Sequence, residues 1–174
     1  MASDFFNPRK ILSENLQLKK NMLAADLGCG SGEWVIALAQ MLENGKVYAI
    51  DLLDEPLSSV RSQAAIKGLQ NIEIVKSNVE KIISRLLSNS LDLVLMTNLL
   101  FQVDDREGVF KEAARILKSG GKVLVVDWNE SARIGPEKKV SAEEIKKVAR
   151  EAGFSLISEF PAGKFHFGII FEKK

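Results

Sequence analysis

This sequence of 174 residues contains one cysteine and one histidine, and neither sign of charge is in excess by more than one. The single cysteine, Cys29, excludes a disulfide framework within the chain and supplies too few thiolates for a cysteine-based metal cluster, so we expect no metal. The 24 basic and 23 acidic residues give a formal net charge of +1, and this balance argues against a duplex nucleic-acid partner, since such proteins usually carry a basic excess.

Long apolar runs are also missing. No run approaches the roughly 18 residues that a membrane-spanning helix needs. The N-terminal residues lack the charged region and the following apolar region of a signal peptide. We therefore expect a cytoplasmic protein without a membrane span. The apolar fraction of 46% is sufficient for a core of its own, and the length predicts a single domain over residues 1–174.

Short β-like runs alternate with helical patterns, which is typical of a parallel sheet covered by helices. Strands are predicted at residues 22–27, 46–50, 72–76, 91–97, 122–127, 154–160 and 165–171. A first helix is predicted to begin at Asn7-Pro8. Further helices are predicted at residues 33–42, 54–68, 79–87, 104–118 and 141–153, and glycines end the helices at 68 and 153. The capping box Ser141-Ala-Glu-Glu144 opens the last helix. The connection at 161–164 is so short that the final two strands must be antiparallel.

A glycine-rich segment, Asp26-Leu-Gly28-Cys-Gly30-Ser-Gly32, joins the first predicted strand to the helix that follows it. Glycines at such a turn let the backbone bend sharply and let a ligand approach closely, because no Cβ intervenes. In doubly wound sheets, ligands bind at the carboxyl ends of the strands near the point where the strand order reverses. The segment therefore predicts a ligand site.

A dinucleotide-binding fingerprint does not fit this segment. The pattern G-x-G-x-x-G places its third glycine at position 33 or 35, where this chain has Glu33 and Val35. Acidic groups at Asp26 and Glu33 would repel a pyrophosphate, whereas Asp26 would attract a cationic ammonium group. The spacing thus disfavours a nicotinamide-dependent oxidoreductase.

Together with four further segments in the same order, the glycine motif resembles the class I S-adenosylmethionine-dependent methyltransferases, especially the small quinone-biosynthesis and arsenite types. The four segments are residues 47–51, 77–79, 91–98 and 112–122, and the resemblance covers about residues 7–171. It implies an α/β, Rossmann-like, seven-stranded and mostly parallel sheet of order 3-2-1-4-5-7-6, with an antiparallel last strand and helices on both faces. It also implies an N-terminal lid helix within residues 1–20 and a core over 21–174.

The resemblance further implies that S-adenosyl-L-methionine is the cofactor. The loop residues Gly28, Cys29, Gly30 and Gly32 would pack against its methionine portion, and Asp26 would serve the ammonium end.

Later segments would hold the rest of the cofactor. Asp51 would accept both ribose hydroxyls and Leu52 would lie against the adenine. Asn78, where the family often has aspartate, and the adjoining Val79 would also meet the adenine. Asn98 would lie at a strand tip near the sulfonium.

Methyl transfer needs mainly the alignment of a nucleophile with the activated methyl group. Asn98 is a candidate for the catalytic site by its position. If the acceptor must lose a proton, His166 and Asp127 are the candidate general bases. A lone histidine is more often structural, but an antiparallel last strand would begin at the ligand edge of the sheet. Trp128 is either a wall of the substrate pocket or part of the core.

The acceptor is expected to be a small apolar or aromatic molecule at an open site. The segment 128–139 is shorter than the covering insertion of the quinone-type relatives, and Phe5, Phe6, Leu100 and Phe101 could line an apolar entrance. The single cysteine disfavours arsenite. Two alternatives stay open at this point: a cofactor-binding subunit that is not itself catalytic or that depends on a partner, and a protein acceptor.

Overall fold

The computed structural model describes residues 6–174. In that part of the chain, no helix is both long and apolar enough to cross a membrane. The described residues form five helices and seven strands, in the order α1 (Pro8–Asn15), β1 (Leu23–Leu27), α2 (Glu33–Met41), β2 (Lys46–Asp51), α3 (Asp54–Ile66), β3 (Ile72–Lys76), β4 (Leu91–Thr97), α4 (Arg106–Ile116), β5 (Leu117–Trp128), α5 (Ala142–Glu151), β6 (Phe154–Ala162) and β7 (His166–Lys173).

The seven strands form one sheet in the order β3-β2-β1-β4-β5-β7-β6, which confirms the expected order. Strands β1 to β5 pair in parallel, and β7 runs antiparallel to both β5 and β6. The chain proceeds outward from β1 to β3 on one side and from β4 on the other. The strand order therefore reverses between β1 and β4, and a ligand site is expected at their carboxyl ends.

Helices cover both faces of the sheet because successive side chains of each buried strand point to opposite sides. Ala25 and Leu27 of β1 belong to the core that includes Phe110 of α4. Ala24 belongs to the second core, which includes Leu38 of α2. Helices α4 and α5 thus lie on one face and α1, α2 and α3 on the other, as expected.

Local capping explains where the first and last helices begin. The Asn7 side chain accepts a hydrogen bond from the Lys10 amide at 3.2 Å, and Pro8 follows it at the first helical position. The Ser141 hydroxyl accepts from the Glu144 amide at 3.1 Å. The carboxylate of Glu144 pairs at 3.2 Å with Arg106 of the neighbouring helix, so only half of the predicted capping box is used.

The helix predicted over residues 79–87 is wrong, because this segment consists of turns. Val79, Ile83 and Leu86 are buried at a spacing that a helix would also produce. Their segment instead exchanges hydrogen bonds with side chains of α4: Ile83 N donates to Glu112 Oε1 at 2.8 Å, and Arg115 Nη2 donates to Leu86 O at 2.9 Å. These side chains replace the bonds that a helix would have made internally.

The boundary between α4 and β5 also differs from the prediction. The helix begins at Arg106 after its N-cap Asp105 and ends at Ile116 rather than near 118. Strand β5 begins immediately, at Leu117, whereas it was expected at 122. Leu117 pairs with Leu91 and Lys122 pairs with Leu93, so the intervening residues form an irregularity in the strand.

Candidate functional site

A cavity of about 650 Å³ opens at the carboxyl edge of the sheet, where the loops after β1, β2, β3 and β4 meet. The loops contribute residues 28–31, 51–53, 77–80, 97–99 and 101–104, and Phe6, Glu33, Trp34 and Pro56 complete the wall. The cavity therefore lies at the reversal of strand order between β1 and β4, as the topology predicts.

The glycine turn after β1 is anchored to the neighbouring strand. The amides of Gly28 and Cys29 both donate to Ile50 O, at 2.8 and 2.9 Å. Gly28 has a φ of +71°, and a Cβ there would lie 2.7 Å from Leu99 Cδ1 on the loop after β4. Only glycine lets these two loops approach so closely without a shift of Leu99.

Asp51, at the end of β2, presents a fixed carboxylate to the cavity. Its Oδ2 accepts from the Gly30 amide and its Oδ1 accepts from the Leu53 amide, both at 3.1 Å. Each carboxylate oxygen has more than one acceptor site. The geometry therefore leaves room for two donors, such as the hydroxyl pair of a ribose. Leu52 beside it is 56% exposed and forms an apolar ledge at the cavity.

Two asparagines line the same cavity on its other walls. The Asn78 Oδ1 atom accepts from the Glu80 amide at 2.8 Å, which holds the turn after β3. Asn98 follows β4 with a φ of +49°, a left-handed conformation that asparagine tolerates better than most residues. The Oδ1 atom of Asn98 is buried and has no hydrogen-bond donor among the described residues.

Asp26 lies beneath the glycine turn, does not line the cavity and is fully buried, with no partner for either oxygen in the described part of the chain. Burial, together with the charge of Asp51, raises its pKa to about 8. Burial and the same two carboxylates also raise the pKa of the Cys29 thiol, so this cysteine is a poor nucleophile. The side-chain oxygens of Asp26 and Asn98 are thus buried without a hydrogen-bond donor, which costs free energy of folding.

The cavity is acidic. Four carboxylate residues line it and, among the described residues, no lysine, arginine or histidine does; the four are Glu33, Asp51, Glu80 and Asp104. In the partly dehydrated space of a cavity, such a set attracts a cation and repels an anion. The lining fits a positively charged ligand and does not fit a pyrophosphate.

The two candidate bases lie outside the cavity lining. Asp127 is buried, and its oxygens accept from the amides of Leu100 at 3.0 Å and Trp128 at 2.8 Å. Burial raises the pKa of Asp127 to about 6. His166 is buried against the Trp128 ring, with a centroid distance of 4.1 Å. Trp128 therefore contacts His166 rather than forming a wall of the cavity, and the base roles stay predictions.

Of the predicted cofactor residues, the structure brings eight together around the cavity: Gly28, Cys29, Gly30, Asp51, Leu52, Asn78, Val79 and Asn98. Asp26 and Gly32 lie outside its lining. Gly32 instead packs against α3, since a Cβ there would lie 2.7 Å from Val60 Cγ2.

The prediction that four apolar side chains line the entrance to the site is only partly right. Phe6 and Phe101 line the cavity, whereas Leu100 is fully buried and does not, because its side chain joins the core under α4. Phe5 lies outside the described residues. Sequence reasoning missed Glu33 and Trp34 as lining residues, although their position in the first helical turn after the glycine loop was a usable signal.

Comparisons with known proteins agree with this geometry. Residues 18–171 match the model of a family described as a methyltransferase domain. The demethylmenaquinone methyltransferase of Bacillus mycoides is 30% identical over 128 residues, which make up 73% of this chain and 53% of that protein. The chain thus spans about half the length of the curated relatives it matches.

Solved structures match over more of their length. A SAM-dependent methyltransferase from Aquifex aeolicus is 29% identical, with a TM-score of 0.88 over 97% of this chain and 90% of the other. A putative type 11 methyltransferase from Sulfolobus solfataricus is 26% identical, with a TM-score of 0.77 over 98% of this chain and 94% of the other.

Proposed function

The chain belongs to the methyltransferase domain family, and from that premise we propose that it transfers a methyl group from S-adenosylmethionine to a small apolar or aromatic acceptor. The observation that carries the proposal is the carboxylate of Asp51, held by the Gly30 and Leu53 amides at the rim of an acidic cavity. This arrangement suits a cationic nucleoside with a free pair of ribose hydroxyls.

The residues present fit this cofactor at both of its ends. At the nucleoside end, Asp51 is placed to accept from the ribose, and the exposed Leu52 offers an apolar surface to the adenine. At the amino-acid end, the unpaired Oδ1 atom of Asn98, which lines the cavity, would gain a donor from an ammonium group, whereas Asp26 is buried outside the lining. The roles assigned to individual residues remain part of the proposal.

When bound, S-adenosylmethionine supplies a methyl group that its sulfonium has already activated. The chain itself then has to bind and orient the reactants and exclude water from the reacting atoms. Orientation of this kind is worth roughly 7–11 kcal/mol in favourable cases. The strand tip at Asn98 and the rings of Phe6 and Phe101 line the cavity where an acceptor would enter.

An aromatic acceptor is supported by the apolar wall and by the name of the relative, demethylmenaquinone methyltransferase. Arsenite stays disfavoured because Cys29 is the only cysteine. Nothing in the cavity or the comparisons favours a non-catalytic subunit. The single domain over 1–174, the lid role of residues 1–20 and the cytoplasmic location stay predictions, and cell fractionation would test the last of these.

Calorimetry tests the cofactor assignment directly. Titration of the purified protein with S-adenosylhomocysteine should release or absorb heat with saturation, and titration with NADH should not. Single-turnover transfer of a labelled methyl group from S-adenosylmethionine to small molecules in a cell extract then tests the activity. Saturable binding of NADH alone would overturn the proposal.

Replacing Asp51 should separate the ribose contact from general charge effects. We expect Asp51→Ala to weaken S-adenosylhomocysteine binding at least tenfold, about 1.4 kcal/mol, because two hydroxyls lose their acceptor. The matched control is Asp54→Ala, which removes an exposed carboxylate that pairs with Lys76 and does not line the cavity. Equal affinities of the two variants would show that the ribose assignment is wrong.

A further inference from the structure

His166, the only histidine in the sequence, is buried without a hydrogen-bond partner. It opens β7, 1% of its surface is exposed, and neither ring nitrogen has a partner among the described residues. Leaving a buried polar group unpaired costs about 1–3 kcal/mol, whereas an apolar side chain of similar shape would avoid that cost. The imidazole therefore points to a partner that arrives from outside the described chain.

Aromatic rings enclose this imidazole. Phe6 meets it edge-on with a centroid distance of 4.6 Å, and Trp128 lies on it at 4.1 Å. Phe6 also lies 5.5 Å from the ring of Trp34. Phe6 and Trp34 line the main cavity, whereas His166 and Trp128 do not. The ring of Phe6 is therefore the partition between the cavity and the imidazole.

We propose that the ring of Phe6 occupies the acceptor subsite, and that a planar aromatic acceptor bearing a hydroxyl group replaces it between Trp34 and His166. The imidazole then hydrogen-bonds the hydroxyl group of the acceptor. This inference rests on the proposed function, whose acceptor class it narrows.

The exchange of one ring for another preserves the packing of the site. Aromatic pairs are favourable at centroid distances of about 4.5–7 Å, so a ring in the place of Phe6 would keep contact with both neighbours. Phe6 precedes the helix N-cap Asn7, so its departure breaks no hydrogen bond inside α1. No element of the fold has to unfold for the subsite to open.

The charges around the site favour an acceptor whose hydroxyl group is neutral. Burial lowers the pKa of His166 to about 4, so the imidazole is neutral at pH 7, with one nitrogen free to accept and the other to donate. The four carboxylates of the main cavity repel an anionic acceptor. A neutral hydroxyl group on an aromatic ring satisfies both conditions.

Nuclear magnetic resonance can test the contact in the wild-type protein, because one histidine gives one pair of ring nitrogen signals. The protein is saturated with S-adenosylhomocysteine and titrated with 2-naphthol or with naphthalene. We expect 2-naphthol to shift a ring ¹⁵N resonance of His166 by hydrogen bonding, with a much smaller change for naphthalene. Unchanged ring resonances at saturating 2-naphthol would overturn the inference.

Variants test the partition role of Phe6. Phe6→Ala should bind 2-naphthol at least tenfold more tightly than the wild type, since no ring has to be displaced. His166→Phe in that background should abolish the preference for 2-naphthol over naphthalene. The matched control is Phe101→Ala, which enlarges the same cavity at another point. If Phe101→Ala also binds 2-naphthol tenfold more tightly, the ring of Phe6 does not occupy the acceptor subsite.

The cofactor titration keeps the two proposals apart. If S-adenosylhomocysteine fails to bind the wild-type protein, the proposed function fails. If it binds and 2-naphthol neither moves the His166 resonances nor gains affinity in Phe6→Ala, only the acceptor subsite fails.

Discussion

At the scale of single residues, Asp26 is an ionisable group with no exposed surface. Its carboxylate is fully buried under the glycine turn, and neither oxygen has a partner among the described residues. Because burial disfavours the charged form, and Asp51 adds to the effect, the pKa of Asp26 rises to about 8. The ligand-free protein therefore holds a proton on this carboxylate at pH 7.

This proton makes the stability of the ligand-free protein depend on pH. Unfolded Asp26 ionises near pH 3.8, whereas the folded group keeps its proton up to about pH 8. The folded state thus binds more protons between these values, so the group's contribution is full below pH 3.8 and is lost as the pH rises to about 8. We expect the free energy of unfolding to fall between pH 6.5 and 8, and Asp26→Asn to remove most of that slope.

Urea denaturation at pH 6.5, 7.25 and 8 measures the effect in a suitable window. Asp127 has a pKa of about 6, so most of its own change lies below this window, and what remains is shared by wild type and Asp26→Asn. The pKa of His166 is lowered from 6.5 to about 4, so His166 has the opposite effect, a gain of stability with rising pH; most of that gain lies below pH 6.5, and the remainder is shared by wild type and Asp26→Asn. Parallel pH profiles of wild type and Asp26→Asn would contradict the assignment.

Among elements, helix α4 supports a wall of the cavity that has no regular structure of its own. Glu112 is 4% exposed, accepts from Ile83 N at 2.8 Å and pairs with Arg115 Nη2 at 2.6 Å. Asn78 and Val79, which line the cavity, belong to the same irregular segment as Ile83. The Glu112–Arg115 ion pair on α4 therefore stabilises this wall of the cavity, through the hydrogen bond from Ile83 to Glu112.

Removing this support should be costly. We expect Glu112→Ala to lower the free energy of unfolding by about 3 kcal/mol, because it leaves the Arg115 charge and the Ile83 amide partly buried without their acceptor. Hydrogen exchange of the Ile83 amide should accelerate, and the affinity for S-adenosylhomocysteine should fall.

A helix-surface glutamate supplies the control for this experiment. Glu107 lies on α4 as well and pairs with Lys111 at 3.4 Å, with both side chains largely exposed. Exposed pairs of this kind contribute about 0–1 kcal/mol, so Glu107→Ala should change stability little. If Glu112→Ala lowers the free energy of unfolding no more than Glu107→Ala does, the irregular segment does not depend on α4 for its stability.

At the scale of the whole molecule, the cavity joins loops that follow four different strands. A ligand that contacts all of them binds the folded state only, and it therefore stabilises the fold as a unit. At a concentration 100 times its dissociation constant, such a ligand adds about 2.7 kcal/mol. For a domain of this size each kcal/mol raises Tm by about 2–4 °C.

We therefore expect saturating S-adenosylhomocysteine to raise Tm by about 5–10 °C, measured by thermal denaturation followed by circular dichroism. The same concentration should shift Asp51→Ala much less, because its affinity is reduced. An equal concentration of NADH should leave Tm unchanged. A shift that is identical in wild type and Asp51→Ala would place the ligand elsewhere on the protein.

Much of the fold could be read from local pattern and family resemblance. All seven strands lie where short apolar runs placed them, with end points that differ by no more than five residues. The segment 79–87 was misread because Val79, Ile83 and Leu86 are spaced as on a helix. Their hydrogen-bond partners, Glu112 and Arg115, lie in a distant part of the chain, where no local pattern can reveal them.

By itself, the amino-acid sequence determined the glycine turn after β1, the carboxylate that ends β2 and the strand order that the family resemblance implied. These features depend on backbone conformation, residue type and spacing along the chain. Only the tertiary structure decided that Asp127 and His166 lie outside the cavity lining and that Phe6 separates His166 from the cavity. Those positions depend on the antiparallel register that pairs Trp128 with His166 and on the packing of the N-terminal segment, which bring together residues far apart in sequence.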